Sequence, residues 1–177
     1  QVVPVVLKLA VDPVAAVRQA LAGGLVGLED LHADVLFSII SDDDDIALPF
    51  LSATPALSHW HMLAVLKVGD EARQAAIALR PDISEEAVDH IVQALPLKVA
   101  LLLFENEAVR FSTEDFHTLY QRFGVKEYWL VTPHPALVEI FVLENGYFHL
   151  ANGFRKRDTL TSPAFPRLKL RLDQVFT

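Results

Sequence analysis

The chain has 177 residues with a formal net charge of −8, and 52% of them are hydrophobic, which is enough for a sizeable core. This length predicts one domain, or one domain with an extension, and the acidic balance is unfavourable for a nucleic-acid binder. The absence of cysteine excludes disulfides and thiolate metal sites, and no apolar run reaches the roughly 18 residues of a membrane-spanning helix. We therefore expect a cytoplasmic protein that does not contact a membrane.

The N-terminal part predicts mainly helices. Val2 to Leu9 is a β-branched run that contains Pro4, and here we expect an edge strand or an extended arm. Apolar residues then recur at helical spacing in five segments, residues 12–22, 25–40, 56–67, 70–79 and 84–95. The end of the second segment, residues 35–40, could equally form a buried strand. Residues 47–55 form a short apolar stretch that prolines interrupt.

Four consecutive aspartates occupy residues 42–45. A calcium loop places its ligands at alternate positions around a glycine, and this run does not. It is typical of an exposed loop or a helix cap.

The run LKVALLLF, from Leu97 to Phe104, is almost continuously apolar. Such a run is typical of a central strand that is buried on both faces, and we predict a strand here.

Residues 112–132 predict a helix, a glycine stop and a buried strand. Ser112 can cap the helix, and Asp115 can complete a capping box with it. Gly124 stands where a left-handed residue ends a helix, and the β-rich run YWLV follows.

The remaining chain is rich in β-strand signals. Residues 138–143 and 147–150 flank Asn145-Gly146, the strongest short signal for a hairpin. Alternating leucines in residues 168–173 predict one more strand. The fold class is therefore α/β (α+β), with a mixed, partly antiparallel sheet flanked by helices and a helix-rich N-terminal part.

The segments LYQRFGVKEYWLV, VEIFVLENGYF and DTLTSPAFPRLKLRLDQVF follow one another within residues 116–177. Their order resembles the C-terminal half of the Uma-type restriction endonucleases, bacterial proteins of the PD-(D/E)XK nuclease superfamily, and the resemblance is faint before residue 97. It implies a restriction-endonuclease-like domain over 46–177, after an N-terminal extension or helical part over 1–45. It also implies Mg²⁺-dependent DNA cleavage, for which carboxylates and a lysine surround the metal.

The resemblance also indicates which residues would act. The family's strand glutamate and its lysine fall on Leu102 and Phe116, which carry no charge, so we expect a catalytically degenerate nuclease-fold protein. One alternative is an active enzyme with displaced ligands. In that case Asp82 and Glu105 would bind Mg²⁺ and Lys98 would assist catalysis.

A third interpretation is a protein-interaction module. The partners predicted under these interpretations are DNA, through the basic segment Arg155–Arg171, and a second copy of the chain.

His59 and His61 would chelate a metal only on a strand, since on the predicted helix their side chains diverge.

Overall fold

The computed structural model describes residues 3–176 and shows a mixed α+β fold. The chain divides into two compact units, Gln1–Arg110 and Phe111–Thr177, which we call the helical unit and the sheet unit. The helix-rich N-terminal part expected from the sequence is present. The division falls between Arg110 and Phe111, whereas the sequence suggested a boundary near residue 45.

Eight helices form the described part of the helical unit: α1 (Val3–Ala10), α2 (Ala15–Leu25), α3 (Ala33–Ile40), α4 (Asp44–Ala53), α5 (His59–Val68), α6 (Glu71–Ala78), α7 (Glu85–Ala94) and α8 (Leu97–Glu105). Helix α4 packs on α2, α3 and α6, and α8 packs on α6 and α7. Contacts between neighbouring and next-but-one helices are typical of stacked helix pairs, as in α-solenoids. No helix described within residues 3–176 has both the length and the apolarity needed to cross a membrane.

Side-chain caps begin three consecutive helices. Ser58, Asp70 and Ser84 each accept a hydrogen bond from the backbone N–H three residues further on. Each cap satisfies one of the unpaired donors at the start of α5, α6 or α7. The predicted helices over 56–67, 70–79 and 84–95 are confirmed.

The four-aspartate run forms the end of the loop before α4 and the first turn of that helix. Arg18 of α2 donates two hydrogen bonds, of 2.7 and 2.9 Å, to the carboxylate of Asp42. Arg73 of α6 donates to the backbone oxygen of Asp42 at 2.6 Å and to the carboxylate of Asp44 at 2.8 Å. Two arginines therefore hold this loop, and the predicted loop or cap role of the run is confirmed.

The first predicted strand is wrong. Residues 3–10 form α1, and Val2 lies outside the described residues. Pro4 lies in the first turn, where an absent N–H removes no intrahelical hydrogen bond. The β-branched composition therefore did not prevent a helix that packs on α2 and α3.

The predicted central strand over residues 97–104 is also wrong, because this run forms α8. Val99, Ala100 and Leu103 are fully buried, and Leu101 is half exposed. Burial at this spacing follows the helical period. A short apolar run fits a buried strand or a buried helix equally well, and leucine and alanine favour the helix.

Other segments differ from the prediction in their extent. Helix α2 continues through Gly23 and Gly24, since a glycine lowers helix stability by only about 1 kcal/mol. Helix α3 begins only at Ala33, and α4 continues through Pro49.

The sheet unit contains α9 (Thr113–Arg122), β1 (Glu127–Thr132), β2 (Leu137–Glu144), β3 (Tyr147–Arg155), β4 (Thr159–Leu160), β5 (Leu170–Arg171) and a 3₁₀ turn (Leu172–Gln174). Strands β1, β2 and β3 form an antiparallel sheet in that order, and β4 pairs with β5. The predicted strand over 168–173 is thus shorter than expected. It ends at Arg171, where the 3₁₀ turn begins.

Local signals in the sheet unit are confirmed. Ser112 and Asp115 form the capping box of α9, and Gly124 has a φ of 68° after the helix. Asn145 and Gly146 both have positive φ in the turn between β2 and β3, as a tight hairpin requires.

The core of the sheet unit is small. Four buried residues form its centre, Val138, Ile140, Leu160 and Leu172. Partly buried hydrophobic residues surround them: Trp129, Val142, Phe154, Leu168, Leu170 and Phe176. One face of the three-stranded sheet therefore packs against the β4–β5 segment.

Candidate functional site

The candidate site lies at β1, an edge strand of the three-stranded sheet. Side chains alternate along a strand, so Glu127, Trp129 and Val131 share one face. The register places them opposite Val142, Ile140 and Val138 of β2. This is the core face of the sheet, and β1 therefore presents these side chains at the margin of the core.

Glu127 organises the site through three hydrogen bonds. Its Oε1 accepts from Trp129 Nε1 at 2.7 Å and from Ser162 Oγ at 2.6 Å. Its Oε2 accepts from the backbone N–H of Ala164 at 2.8 Å. Ser162 is buried, and its Oγ also accepts from the N–H of Phe165 at 3.0 Å. One carboxylate thus fixes both an indole ring and the loop 162–165.

The ionised form of Glu127 is favoured. Partial burial raises the pKa of this carboxyl, but hydrogen bonds from Ser162, Trp129 and Ala164 outweigh burial and hold the pKa below its usual value. The carboxylate is therefore charged at neutral pH and acts as an acceptor only.

An open groove of about 780 Å³ lies beside this carboxylate. We call it the Trp129 groove. Six residues line it: Trp129, Ala164, Phe165, Pro166, Arg167 and Leu168. The ring of Phe165 is exposed, at 62%, although the backbone of its loop is fixed. The lining is apolar apart from Arg167, which has no ion-pair partner within residues 3–176.

These walls define what the groove can bind. Apolar and aromatic surface with one exposed cation suits a large apolar side chain that stands next to a carboxylate. The groove is open along its length, so an occupant could enter as part of a chain.

The opposite face of the sheet has a different character. Tyr128 stacks on Phe141 with ring centroids 4.9 Å apart, and His117 of α9 lies over both rings. The hydroxyl of Tyr128 is hydrogen-bonded to His117 Nε2. Burial, followed by Tyr120 and Glu139, raises the pKa of Tyr128 to about 12. This cluster packs α9 onto the sheet and keeps Tyr128 neutral.

Asp82, the first predicted metal ligand, belongs to a structural ion pair. Arg80 is 3% exposed and donates to Asp82 Oδ1 at 2.9 Å and to Oδ2 at 2.8 Å. The same guanidinium donates to the backbone oxygens of Leu51 and Thr54. Because both carboxylate oxygens are engaged by Arg80, this arrangement does not fit a Mg²⁺ ligand.

The other predicted site residues are not assembled around Asp82. Lys98 pairs with Glu71 at 2.7 Å, and Glu105 is the exposed last residue of α8. Leu102 is partly buried on α8, and Phe116 contacts the ring of Tyr120.

The structure shows no cluster suited to a metal in the part of the chain that it describes. His59 and His61 lie on α5, as predicted, and His61 Nδ1 accepts from the backbone N–H of Ser58. His61 therefore caps its helix.

The basic segment Arg155–Arg171 keeps most of its charges available. Arg171 pairs with Asp173. Lys156, Arg157 and Lys169 are exposed and form no ion pair with another described residue.

Comparison with known proteins gives one similarity. A family model described as "Uncharacterised protein conserved in bacteria (DUF2336)" matches residues 46–129, slightly less than half of the chain. No curated protein and no solved structure matches. The matched residues begin within α4, include α5 to α9 and end at Trp129 in β1.

The resemblance to the Uma-type restriction endonucleases is therefore wrong, because the family that matches is a different one. The fold supplies a physical reason, since the run expected to form the carboxylate-bearing strand is helix α8. Asp82, Glu105 and Lys98 were assigned as catalytic residues, with Mg²⁺ as cofactor, through this resemblance. That assignment therefore loses its support.

Sequence reasoning missed Glu127 and Ser162, and it placed Arg167 in a basic segment for DNA rather than at an apolar groove. Glu127 opens a strand and Ser162 precedes a proline, and neither stands in a motif with a defined chemistry. Their contact joins residues 35 positions apart in the chain. The only available signal was an acidic residue two positions before a tryptophan, where both share a strand face.

Proposed function

We propose that this chain is a protein-interaction module whose sheet unit binds a partner protein in the Trp129 groove. The observation that carries the proposal is the set of three hydrogen bonds at Glu127, which fixes the loop 162–165 opposite the indole ring. A groove formed in advance requires little ordering when a partner binds, and this favours affinity.

The lining supports a partner of definite chemistry. Trp129 and Phe165 offer aromatic surface, which contributes strongly to binding at the centre of interfaces. Arg167 offers a cation at the same groove, suited to a carboxylate. We expect a segment of another protein with a large apolar side chain and an acidic residue near it.

The helical unit supports the same class of function. Stacked helix pairs form extended surfaces that bind proteins. Trp60 is 69% exposed on α5 and Val68 is 86% exposed on the same helix, so apolar contact area is available there as well. DNA contact through Arg155–Arg171 and homodimer formation remain predictions, and both enter the tests as competing outcomes.

The test selects peptides from a random phage-displayed library on the immobilised full chain. Enriched peptides are synthesised and titrated by calorimetry. We expect an apolar residue next to an acidic one, and an affinity that Trp129→Ala lowers at least about tenfold, as loss of an aromatic anchor does. Tyr147→Ala removes an exposed aromatic side chain of the sheet unit that does not line the groove, and it is the matched control.

Two further variants keep the test valid if Trp129→Ala perturbs the fold. Phe165→Ser alters an exposed groove side chain, and Arg167→Glu reverses the groove charge. Arg157→Glu makes the same charge change at a residue that does not line the groove. Peptides that bind all the groove variants as tightly as the unaltered chain would refute the proposal. So would salt-sensitive binding of duplex DNA, together with failure to enrich any peptide.

A further inference from the structure

We infer that the partner segment binds as an additional β-strand on the free edge of β1. This inference rests on the proposed function, since it states how a peptide would occupy the Trp129 groove. Addition of a strand to a sheet edge is a general mode of peptide recognition, in which backbone hydrogen bonds supply affinity and side-chain pockets supply specificity.

The register shows which backbone groups of β1 face outward. The N–H of Leu143 donates to the oxygen of Lys126 at 2.8 Å, one position before the pair Glu127 and Val142. Directly opposed residues in an antiparallel pair alternate between hydrogen-bonded and non-hydrogen-bonded. Hydrogen bonds to β2 therefore fall at Tyr128, Leu130 and Thr132 of β1. The N–H and C=O groups of the intervening residues point away from β2.

These outward groups belong to Glu127, Trp129 and Val131. No other backbone group in the described chain is bonded to them, and β1 has no second neighbour in the sheet. Val131 is 49% exposed, so solvent reaches this edge. The edge thus offers a ladder of donors and acceptors to an incoming strand.

The edge has few of the usual protections against pairing. Proline, lysine and bulges blunt many natural edge strands, and β1 (EYWLVT) has none of these, while its one charged side chain, Glu127, is engaged by the loop 162–165. The other edge strand, β3, differs, because its pairing with β2 is interrupted by a register shift between Ile140 and Phe141. Of the two edges, β1 is therefore the better template.

The edge and the groove coincide. Glu127, Trp129 and Val131 carry the outward backbone groups, and their side chains stand on the core face, where Trp129 forms a wall of the groove. A strand on β1 would place alternate side chains on that same face. One of them would enter the groove, and an acidic neighbour could reach Arg167.

The test uses the peptide selected as above and the full chain. Single N-methylation at each residue in turn removes one backbone donor without changing the side chain. We expect losses of at least about tenfold at alternate residues and much smaller losses at the intervening ones, because a bound strand directs every second N–H to its partner.

Amide exchange measured by NMR supplies the second readout. The N–H groups of Trp129 and Val131 should exchange rapidly in the free protein and at least about tenfold more slowly in the complex. Those of Tyr128 and Leu130 already bond to β2 and are the internal control.

The outcomes separate the two proposals. Binding that depends on Trp129 but shows no alternation on N-methylation would overturn strand addition and leave the groove as the binding site. Binding that is independent of the groove would refute the proposed function. Concentration-dependent dimerisation of the free chain that protects Trp129 and Val131 would assign this edge to a second copy and overturn the inference.

Discussion

The helical unit and the sheet unit use their charged side chains differently. In the helical unit, arginines bind the loops that join helices: Arg18 and Arg73 hold the aspartate run, and buried Arg80 holds Asp82. In the sheet unit, Glu127 instead fixes the wall of an open groove. A hydrogen bond from Arg18 lowers the pKa of Asp42, whereas neutral donors lower that of Glu127. The first arrangement serves packing, and the second shapes a surface.

Charge distribution sharpens this contrast. Residues 1–110 hold 7 Lys and Arg against 16 Asp and Glu, and residues 111–177 hold 8 against 7. The strongly acidic unit repels an acidic segment, and the near-neutral sheet unit does not. The sheet unit, where Arg167 lines the groove, should therefore repel an acidic partner less than the helical unit does.

The largest effect is expected when the buried arginine side chain of the helical unit is removed. Arg80→Ala should lower the free energy of unfolding by about 4 kcal/mol, because the buried guanidinium bonds Leu51, Thr54 and Asp82 at once. Asp82→Asn is the control, and it should cost about 1 kcal/mol, since Asp82 is half exposed and Arg80 keeps its carbonyl partners. Urea-induced unfolding, monitored through hydrogen exchange of the amides in α4 to α7, measures the stability loss of both variants. Equal losses for the two variants would contradict the role given to Arg80.

The second prediction concerns the small core of the sheet unit. Ile140→Ala should lower the free energy of unfolding by about 3 kcal/mol, because Ile140 is fully buried and leaves a cavity. Val142→Ala, on the same face but only partly buried, should cost clearly less. Hydrogen exchange of β1 to β3 reports the difference. Similar small losses for both would show that this core tolerates cavities, as a loosely packed surface layer does.

The sequence predicted those features whose cause is local. Capping by Ser112, the left-handed Gly124 and the Asn145-Gly146 turn depend on a few adjacent residues, and all three are present. The helices over 56–67, 70–79 and 84–95 combine caps with helical periodicity, so two independent local signals agreed.

Features with a non-local cause were not predictable in this way. Helix α8 is set by packing on α6 and α7, which a short apolar run does not reveal. Asp82 was a predicted Mg²⁺ ligand, but its carboxylate is bonded by Arg80, which also donates to the backbone of Leu51 in α4. The groove depends on a contact between Glu127 and Ser162 that only the folded chain creates.

The third prediction tests the carboxylate that shapes the groove. Glu127→Gln should destabilise the loop 162–165 by about 1 kcal/mol, because charge-assisted acceptors are replaced by neutral ones. The pKa of Glu127 is lower in the folded state, so its stabilisation is complete above about pH 4.3 and is lost as the pH falls through the folded pKa. Exchange of the Ala164 and Phe165 amides should accelerate in acid, beyond the intrinsic pH dependence, in the unaltered chain but not in Glu127→Gln. An identical acid response in both would remove Glu127 from this role.

The smallest expected effect lies on the opposite face of the sheet. Burial raises the pKa of Tyr128 to about 12, above the value near 10 of an unfolded chain. The unfolded state therefore loses its proton first, and stability should decline between about pH 10 and pH 12. The difference in tyrosinate absorbance between the unaltered chain and Tyr128→Phe should titrate near pH 12. A midpoint near 10 would mean that water reaches the Tyr128 hydroxyl as freely as in an unfolded chain, and the contrast between a partly buried aromatic face and an open groove on the same sheet would fail.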